Sequence, residues 1–179
     1  MEKPVQKFFI FSFVIVLSAC SLNTCENKTT QHTIQSNNIK VFFTPGLECE
    51  TNIIANINKA DKIDIAVYSI TNPAIVDSIL AAHKRGAQIR VITDRSQAKG
   101  KGSLVGQIRS SGIPVVTNIK HKIEHNKVGI FDDRYIVTGS YNWTTNASSY
   151  NSENCVFFYQ PEGMEYSKRF EYLWQLYSK

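Results

Sequence analysis

The chain has 179 residues, of which 42% are hydrophobic, 20% charged and 11% aromatic, and its formal net charge is +5 at pH 7. This composition is typical of a folded globular domain, and it excludes a disordered chain, a collagen-like repeat and a protein with several membrane spans. The positive charge favours an anionic partner, such as nucleic acid or lipid head groups, without choosing between them.

Residues 1–19 have the features of a bacterial lipoprotein signal peptide. Two lysines precede an apolar run, 8–17, that is shorter than the roughly 18–20 residues needed to span a bilayer. The run ends in residues 17–20 (LSAC), which resemble a lipobox, and this resemblance implies that Cys20 is lipid-modified and begins the mature chain. We therefore expect an exported protein, lipid-anchored to the bacterial cell envelope, and Ser21 favours the outer membrane, facing the periplasm or the surface. An ordinary secretory signal with a chance cysteine is the alternative.

Residues 20–38 are mostly polar and are predicted to form a flexible tether between the membrane and the folded domain. Export permits disulfides, and the odd number of cysteines after Cys20 leaves at least one of Cys25, Cys49 and Cys155 without an intramolecular partner. Their pairing stays open. Because Cys155 lies in an apolar strand, we expect it to be a small buried hydrophobic side chain.

The remaining residues, 39–179, are predicted to form one α/β domain, with a mixed β-sheet flanked by helices. Early strands alternate with helices, and later strands follow each other closely, with a hairpin around 132–134. The predicted strands are 41–44, 63–68, 89–93, 113–116, 127–131, 135–138 and 155–159. The predicted helices are 49–60, 72–86, a short one after the Gly/Lys-rich loop 97–102, and a last one with Tyr166, Phe170, Leu173 and Tyr177 on one face.

The residues that suggest chemistry lie in one segment near the C-terminus. His125 and Lys127, followed by Asp132, give the pattern H-x-K-x4-D, and residues 139–142 supply G-S-x-N. These patterns, with residues 151–154 after them, resemble the phospholipase D superfamily and, within it, the small single-motif bacterial endonucleases. The resemblance covers roughly 140 residues, everything beyond the signal and tether. It implies a phospholipase D/nuclease-like fold and phosphodiester hydrolysis.

Strand geometry predicts which motif residues act together. Alternate residues share a face, so His125, Lys127 and Gly129 are expected on one side, with Val128 and Ile130 in the core. The imidazole of His125 can attack phosphorus, and Lys127 can stabilise the negative phosphoryl oxygens as the transition state forms. Gly129 is expected to leave room for the substrate.

Four further residues complete the predicted site. Ser140 and Asn142 are expected to bind substrate by donating hydrogen bonds to the phosphoryl oxygens, and Glu153 to fix the tautomer of His125, as a triad carboxylate does. Asp132 is counted with the catalytic residues, although we expect it to orient backbone or a neighbouring side chain rather than touch phosphate. No Cys/His cluster has ligand spacing and no dense set of carboxylates lies near His125, so we expect neither a metal nor another cofactor.

These observations predict an exported, membrane-tethered phosphodiesterase that hydrolyses nucleic acid through a phosphohistidine intermediate. The resemblance implies DNA as the substrate, cut with little sequence preference, and RNA as a further one. Phospholipase D activity on phosphatidylcholine-type lipids uses the same residues and is the first alternative. The second is a non-catalytic surface lipoprotein that captures DNA, against which the intact motif argues.

Two expectations concern partners. The basic loop 95–101, with Lys120 and Lys122, either follows a phosphate backbone or is a solvated loop. Phosphohistidine chemistry needs two histidines in different protonation states, and the chain contains a single H-x-K. We therefore expect a homodimer with a shared active site, in which a two-fold axis beside His125 brings in the partner's copy.

Overall fold

The computed structural model describes residues 39–161 and 164–179. The predicted signal peptide and tether, with Cys20 and Cys25, lie outside these residues. In the part of the chain that is described, no helix is both long enough and apolar enough to cross a membrane.

Between residues 39 and 161, seven strands form one mixed sheet. They are β1 Lys40–Phe43, β2 Lys62–Val67, β3 Gln88–Thr93, β4 Val115–Thr117, β5 Lys127–Phe131, β6 Tyr135–Gly139 and β7 Asn154–Tyr159. Their order is β1-β7-β6-β5-β2-β3-β4. β2, β3 and β4 are parallel, and all other neighbours are antiparallel. The predicted α/β class and mixed sheet are confirmed.

Within the described residues, five α-helices accompany the sheet: α1 Glu48–Ile57, α2 Pro73–Arg85, α3 Val105–Ser110, α4 Thr145–Ser149 and α5 Glu165–Tyr177. α2 begins as predicted, because Asn72 Oδ1 accepts a hydrogen bond from the backbone N–H of Ala74 at 2.9 Å, and it ends at Gly86 with φ at 103°. α4 was not predicted. Thr144 starts it by accepting a hydrogen bond from the N–H of Ala147 at 3.1 Å.

Both faces of the sheet are covered by helices. The larger core joins α1, α2 and α3 to one face and includes Phe131. α5 packs on the other face, over Val128 and Ile130. All five residues of β5 are buried. Val128 and Ile130 point into a core, as predicted, whereas Gly129 and Phe131 face a second core on the other side of the sheet.

A disulfide joins Cys49 at the start of α1 to Cys155 in β7, with 5.9 Å between their Cα atoms. Cys155 is buried, as predicted, but the expectation that it is simply a small hydrophobic side chain is wrong, because its sulfur is bonded to Cys49. The bridge connects the first helix of the domain to a strand 106 residues further along the chain.

The functional loops leave the sheet at a single edge, which we call the site edge. In register, Val67 of β2 lies opposite Thr93 of β3 and Lys127 of β5. The ends of β1, β4 and β6 and the beginning of β7 lie at the same edge, because the pairs Thr93–Thr117, Gly139–Cys155 and Phe43–Asn154 are also opposite each other. The hairpin at 132–134 turns at the opposite edge.

Candidate active site

His125 and Lys127 lie at the site edge, where β5 begins. The Lys127 side chain is buried, and its Nζ donates a hydrogen bond to the carbonyl oxygen of His125 at 2.8 Å. His125 is exposed, and its ring packs edge to face on Tyr68, with 4.7 Å between the centroids. Lys127 Nζ lies 5.0 Å from the centroid of the same Tyr68 ring. Tyr68 therefore orients both motif residues. Sequence reasoning missed it, although an aromatic residue directly after a buried strand was a usable signal.

Two opposing effects set the charge of Lys127. Burial lowers the pKa of its ammonium group, while the negative charges of Glu153 and Glu124 act to raise it. Because burial dominates, Lys127 loses its proton at a lower pH than a solvated lysine does. The two carboxylates limit this loss and so favour a cation at the site.

Glu124 is a buried carboxylate that the sequence analysis missed. Its Oε1 accepts hydrogen bonds from the backbone N–H of Asn126 at 3.3 Å and from the Asn126 side-chain amide. Its Oε2 accepts one from the hydroxyl of Tyr177 at 3.1 Å, and its own N–H donates to Asp94 Oδ2 at 3.0 Å. Burial and the charge of Glu124 raise the pKa of Tyr177 above its usual range. Glu124 thus holds the backbone turn that presents His125 to solvent.

The G-S-x-N segment is held against β7 by close backbone contacts. Gly139 has φ at 150°, and a Cβ at this position would lie 2.3 Å from the carbonyl oxygen of Asn154. That carbonyl accepts hydrogen bonds from the N–H groups of Ser140 and Tyr141, at 3.1 and 3.2 Å. Ser140 Oγ accepts one from the N–H of Asn154 at 3.1 Å, which leaves its own hydrogen free to donate.

Asn142 is anchored through its neighbour Trp143. The Trp143 side chain is buried, and its carbonyl oxygen accepts hydrogen bonds from the backbone of 71–72 at 3.0 and 3.1 Å. A Cβ on Gly129 would lie 3.1 Å from Trp143 Cζ2 and 2.9 Å from Val137 Cγ1. Gly129 therefore makes room for core side chains, and the expectation that it makes room for substrate is wrong. Asn142 Oδ1 is buried and has no hydrogen-bond partner in the described part of the chain.

Glu153 lies near Lys127 but is not bonded to the imidazole. Its carboxylate accepts a hydrogen bond from Asn151 Nδ2 at 3.0 Å. Its N–H and carbonyl are both bonded to Thr44. The predicted hydrogen bond from His125 to Glu153 is absent from residues 39–161, and the carboxylate acts on Lys127 by its charge instead.

Asp132 lies at the opposite edge from His125. Its Oδ1 accepts hydrogen bonds from the backbone N–H groups of Asp61 and Lys62, at 3.0 and 2.9 Å, where β2 begins. Asp132 is seven positions after His125 along the chain, which at the rise of a strand is a span of roughly 23 Å. Its contacts agree with the backbone-orienting role expected from the sequence, and this separation contradicts direct participation in catalysis.

The site edge therefore presents an imidazole beside a buried ammonium, a hydroxyl group and a carboxamide. This set suits attack on an anionic phosphorus centre, because the nucleophile and the charge-stabilising groups lie at the same edge of the sheet. Across residues 39–161 and 164–179, no group of three or more His, Cys, Asp or Glu side chains is placed to hold a metal ion. The fold and the site define a phosphodiesterase of the phospholipase D superfamily.

The chain belongs to the family described as "Cardiolipin synthase, PLD-like domain", which matches residues 53–174. A protein named Phospholipase D from Rickettsia prowazekii (strain Madrid E) is 30% identical over 154 residues, which are 85% of this chain and 75% of the relative. A mitochondrial cardiolipin hydrolase from Chlamydomonas reinhardtii is 34% identical over 116 residues, 64% of this chain. The matched segment spans about half of that hydrolase, 52% of its length.

Solved structures agree with this assignment. The phospholipase D family member Nuc from Salmonella typhimurium superposes with a TM-score of 0.72 and 30% identity, over 76% of this chain and 93% of Nuc. NucT from Helicobacter pylori gives a TM-score of 0.67 at 24% identity, over 76% of this chain and 95% of NucT, and supports the fold alone. These matches confirm the predicted superfamily, its small single-motif subgroup and an enzyme of this class.

Proposed function

We propose that the protein is an exported, membrane-tethered nuclease that hydrolyses DNA, and RNA as a further substrate, through a phosphohistidine intermediate. The observation that carries this proposal is the exposed His125 imidazole, fixed on Tyr68 beside the buried ammonium of Lys127. An open edge with a nucleophile at the surface admits a polymer, whereas an enclosed pocket would not.

Two displacements at phosphorus complete the proposed reaction. Neutral His125 attacks the phosphodiester, a P–N bond forms, and the P–O bond to the leaving oxygen breaks as that oxygen takes a proton from the second, protonated histidine of the proposed dimer. Water then attacks the phosphohistidine, its proton passes to that second histidine, which is now neutral, and the P–N bond breaks to release a phosphomonoester. Lys127, Ser140 and Asn142 stabilise the phosphoryl oxygens in both steps.

Hydrolysis of a phospholipid is the second candidate, because relatives of this chain carry the names Phospholipase D and cardiolipin hydrolase. The apolar cavity between the sheet and α5, lined in part by Asn126 and Val128, has a volume of about 70 Å³. This volume is too small for an acyl chain, so the cavity offers a lipid no apolar binding site. The small volume of this cavity supports nucleic acid, rather than a phospholipid, as the substrate.

The test is to offer the purified protein plasmid DNA, phosphatidylcholine vesicles and cardiolipin vesicles in parallel. We expect nicked and linear DNA with little sequence preference, and no phosphatidic acid. A matched His125→Ala protein must be inactive on DNA, which excludes a contaminating nuclease. Release of phosphatidic acid with intact plasmid would contradict the nuclease proposal and establish the lipid alternative.

A homodimer would supply the second histidine that the reaction needs, and an uncovered apolar surface supports this part of the proposal. Val41 of β1 lies opposite Val156 of β7. Both side chains are on the same face of the sheet as α5, which covers that face over the central strands. At the β1 end of that face, Val41 and Phe43 are exposed, the latter by 69%. Phe43 pairs with Asn154, the residue bonded to Ser140, so a second copy docked here lies beside the site.

Mixed refolding tests the shared site. Wild type is unfolded and refolded with an equal amount of His125→Ala, and activity is compared with all-wild-type protein at the same total concentration. A shared site leaves about a quarter of the activity, because only pairs of wild-type chains are competent. Independent monomeric sites leave about half. The second outcome, with a monomer mass in solution, contradicts the dimer.

Export through a lipidated Cys20 also belongs to this proposal. The disulfide between Cys49 and Cys155 supports it, because such bonds persist in oxidising compartments outside the cytosol. In this account the protein meets polymers outside the inner membrane.

A further inference from the structure

Two loops at the site edge carry a group of cations that the reaction scheme does not use. Arg95, Lys99 and Lys101 follow β3, and Lys120 and Lys122 follow β4. We call these five side chains the cationic strip. All five are exposed, and none makes an ion pair within residues 39–161 or 164–179.

Buried polar side chains hold the two loops together. Asn118 is 3% exposed, and its Oδ1 accepts a hydrogen bond from the N–H of Arg95 at 2.7 Å while its Nδ2 donates to the carbonyl of His121 at 3.0 Å. Asp94 is 2% exposed and accepts hydrogen bonds from the N–H groups of Ser96 and Glu124, at 2.8 and 3.0 Å. The cationic strip is thus mounted on a fixed backbone, which lowers the entropic cost of binding a ligand.

The same loops are connected to the nucleophile. Gln97 Nε2 donates a hydrogen bond to the hydroxyl of Tyr68 at 3.1 Å, and the Tyr68 ring packs on His125. In the sheet, β4 lies three strands away from β5, a distance of roughly 14 Å. The strip therefore extends away from His125 across the strands of the sheet. Its length is about that of four nucleotides along one nucleic-acid strand.

Two cations on the strands, Lys62 and Arg90, are used differently. Lys62 pairs with Asp133 at 2.7 Å, and Arg90 lies between Asp64 and Glu171, at 2.8 and 2.9 Å. These pairs neutralise the charges of Lys62 and Arg90. The unpaired charge of the strip is consequently available for an external anion.

We propose that the cationic strip is a phosphate-binding track that holds a nucleic-acid strand on one side of His125. This inference rests on the proposed nuclease function and adds the path of the substrate. A row of separate charges leading away from a reaction centre fits a linear polyanion. A bilayer would favour a broad apolar surface, and the strip offers only Ile119 and Ile123, each about half exposed. In the proposed two-fold dimer, one strip flanks each side of the shared site.

The test measures DNA binding without cleavage. The full chain carrying Cys20→Ser and His125→Ala is titrated into a fluorescent single-stranded oligonucleotide over a series of salt concentrations. Lys99→Gln, Lys120→Gln and Lys122→Gln are then combined in that background. Each phosphate contact contributes about 0.7 to the slope of log K against log salt for single strands. We expect the slope to fall by about 2, and affinity at 0.1 M salt to fall about a hundredfold.

A matched control removes the same charge elsewhere. Lys40, Lys59 and Lys84 are exposed and make no ion pair in the described chain, so their combined change to Gln should leave the slope unchanged. Equal losses from both triple variants would overturn the track, because net charge alone would then explain binding. The track would also be overturned if the Lys99, Lys120 and Lys122 variant kept the salt slope of oligonucleotide binding but lost binding to phosphatidylglycerol vesicles. The strip would then bind a bilayer.

A small substrate separates this inference from the proposed function. Bis(p-nitrophenyl) phosphate is too short to reach the strip, so the lysine triple variant with His125 intact should hydrolyse it as wild type does. Loss of this activity in the variant would overturn the track, because the lysines would then act on the reaction centre. Wild-type protein that binds DNA as expected but hydrolyses neither substrate would contradict the nuclease proposal and leave the track established.

Discussion

Removal of the disulfide between Cys49 and Cys155 should lower the free energy of unfolding substantially. The bridge closes a loop with a sequence separation of 106 residues, which restricts the unfolded chain far more than the folded one. The loop-closure entropy for this length corresponds to about 4.7 kcal/mol. For a domain of this size, the same free energy corresponds to a decrease in Tm of about 16 °C.

The assay compares urea and thermal unfolding of wild type with those of a Cys49→Ala, Cys155→Ala variant, each with and without a phosphine reductant. The reductant should destabilise wild type to the level of the variant and leave the variant unchanged. Cys25→Ala retains the bridge and serves as the control. A loss below about 1 kcal/mol in the variant, with the bridge verified in wild type by mass, would refute the loop-closure argument.

Four further predictions follow from the site and the chain termini. DNA cleavage should persist in excess EDTA, and loss of activity restored by a divalent ion would contradict phosphohistidine chemistry. Glu153→Gln should move the alkaline limit of p-nitrophenolate release from bis(p-nitrophenyl) phosphate to lower pH. The reason is that the substitution removes a negative charge that raises the pKa of Lys127. As a control, Glu165→Gln, at an exposed carboxylate, should leave the alkaline limit unchanged. Asp132→Ala should lower stability by about 1–2 kcal/mol in urea unfolding while activity per folded molecule is kept, and the reverse result would make Asp132 catalytic. Cys20→Ser should move the protein from the membrane fraction to the soluble fraction, and a membrane-bound variant without fatty-acid labelling of wild type would contradict the lipobox.

The sequence predicted the fold class and the placement of the motif because both depend on local patterns. Alternation located the strands, helical spacing located the helices, and the apolar run 128–131 after H-x-K placed His125 and Lys127 at the start of β5. The two-sided burial of β5 was not predictable in this way. Whether Gly129 faces substrate or Trp143 depends on which helices cover each face of the sheet.

Long-range contacts account for the other differences. Nothing local distinguishes Cys49 from Cys25 as the partner of Cys155, because pairing depends on which Cα atoms the fold brings together. Glu124 and Asp94 are single polar residues in loops, and their burial results from packing against α5 and the neighbouring loop. Such residues have no sequence pattern of their own.

The number of residues between Lys127 and Asp132 sets the length and the register of β5. Lys127 is the first residue of β5 and lies at the reaction centre. Asp132 follows the last residue of β5, and its carboxylate accepts hydrogen bonds from the backbone where β2 begins. Side chains alternate between the two faces of a strand with every residue. One residue inserted between Lys127 and Asp132 would therefore turn Lys127 toward α5 or break the hydrogen bonds of Asp132 to the start of β2. Packing restricts the side chains at the four intervening positions, most tightly at Gly129, and the alternation of the strand fixes their number.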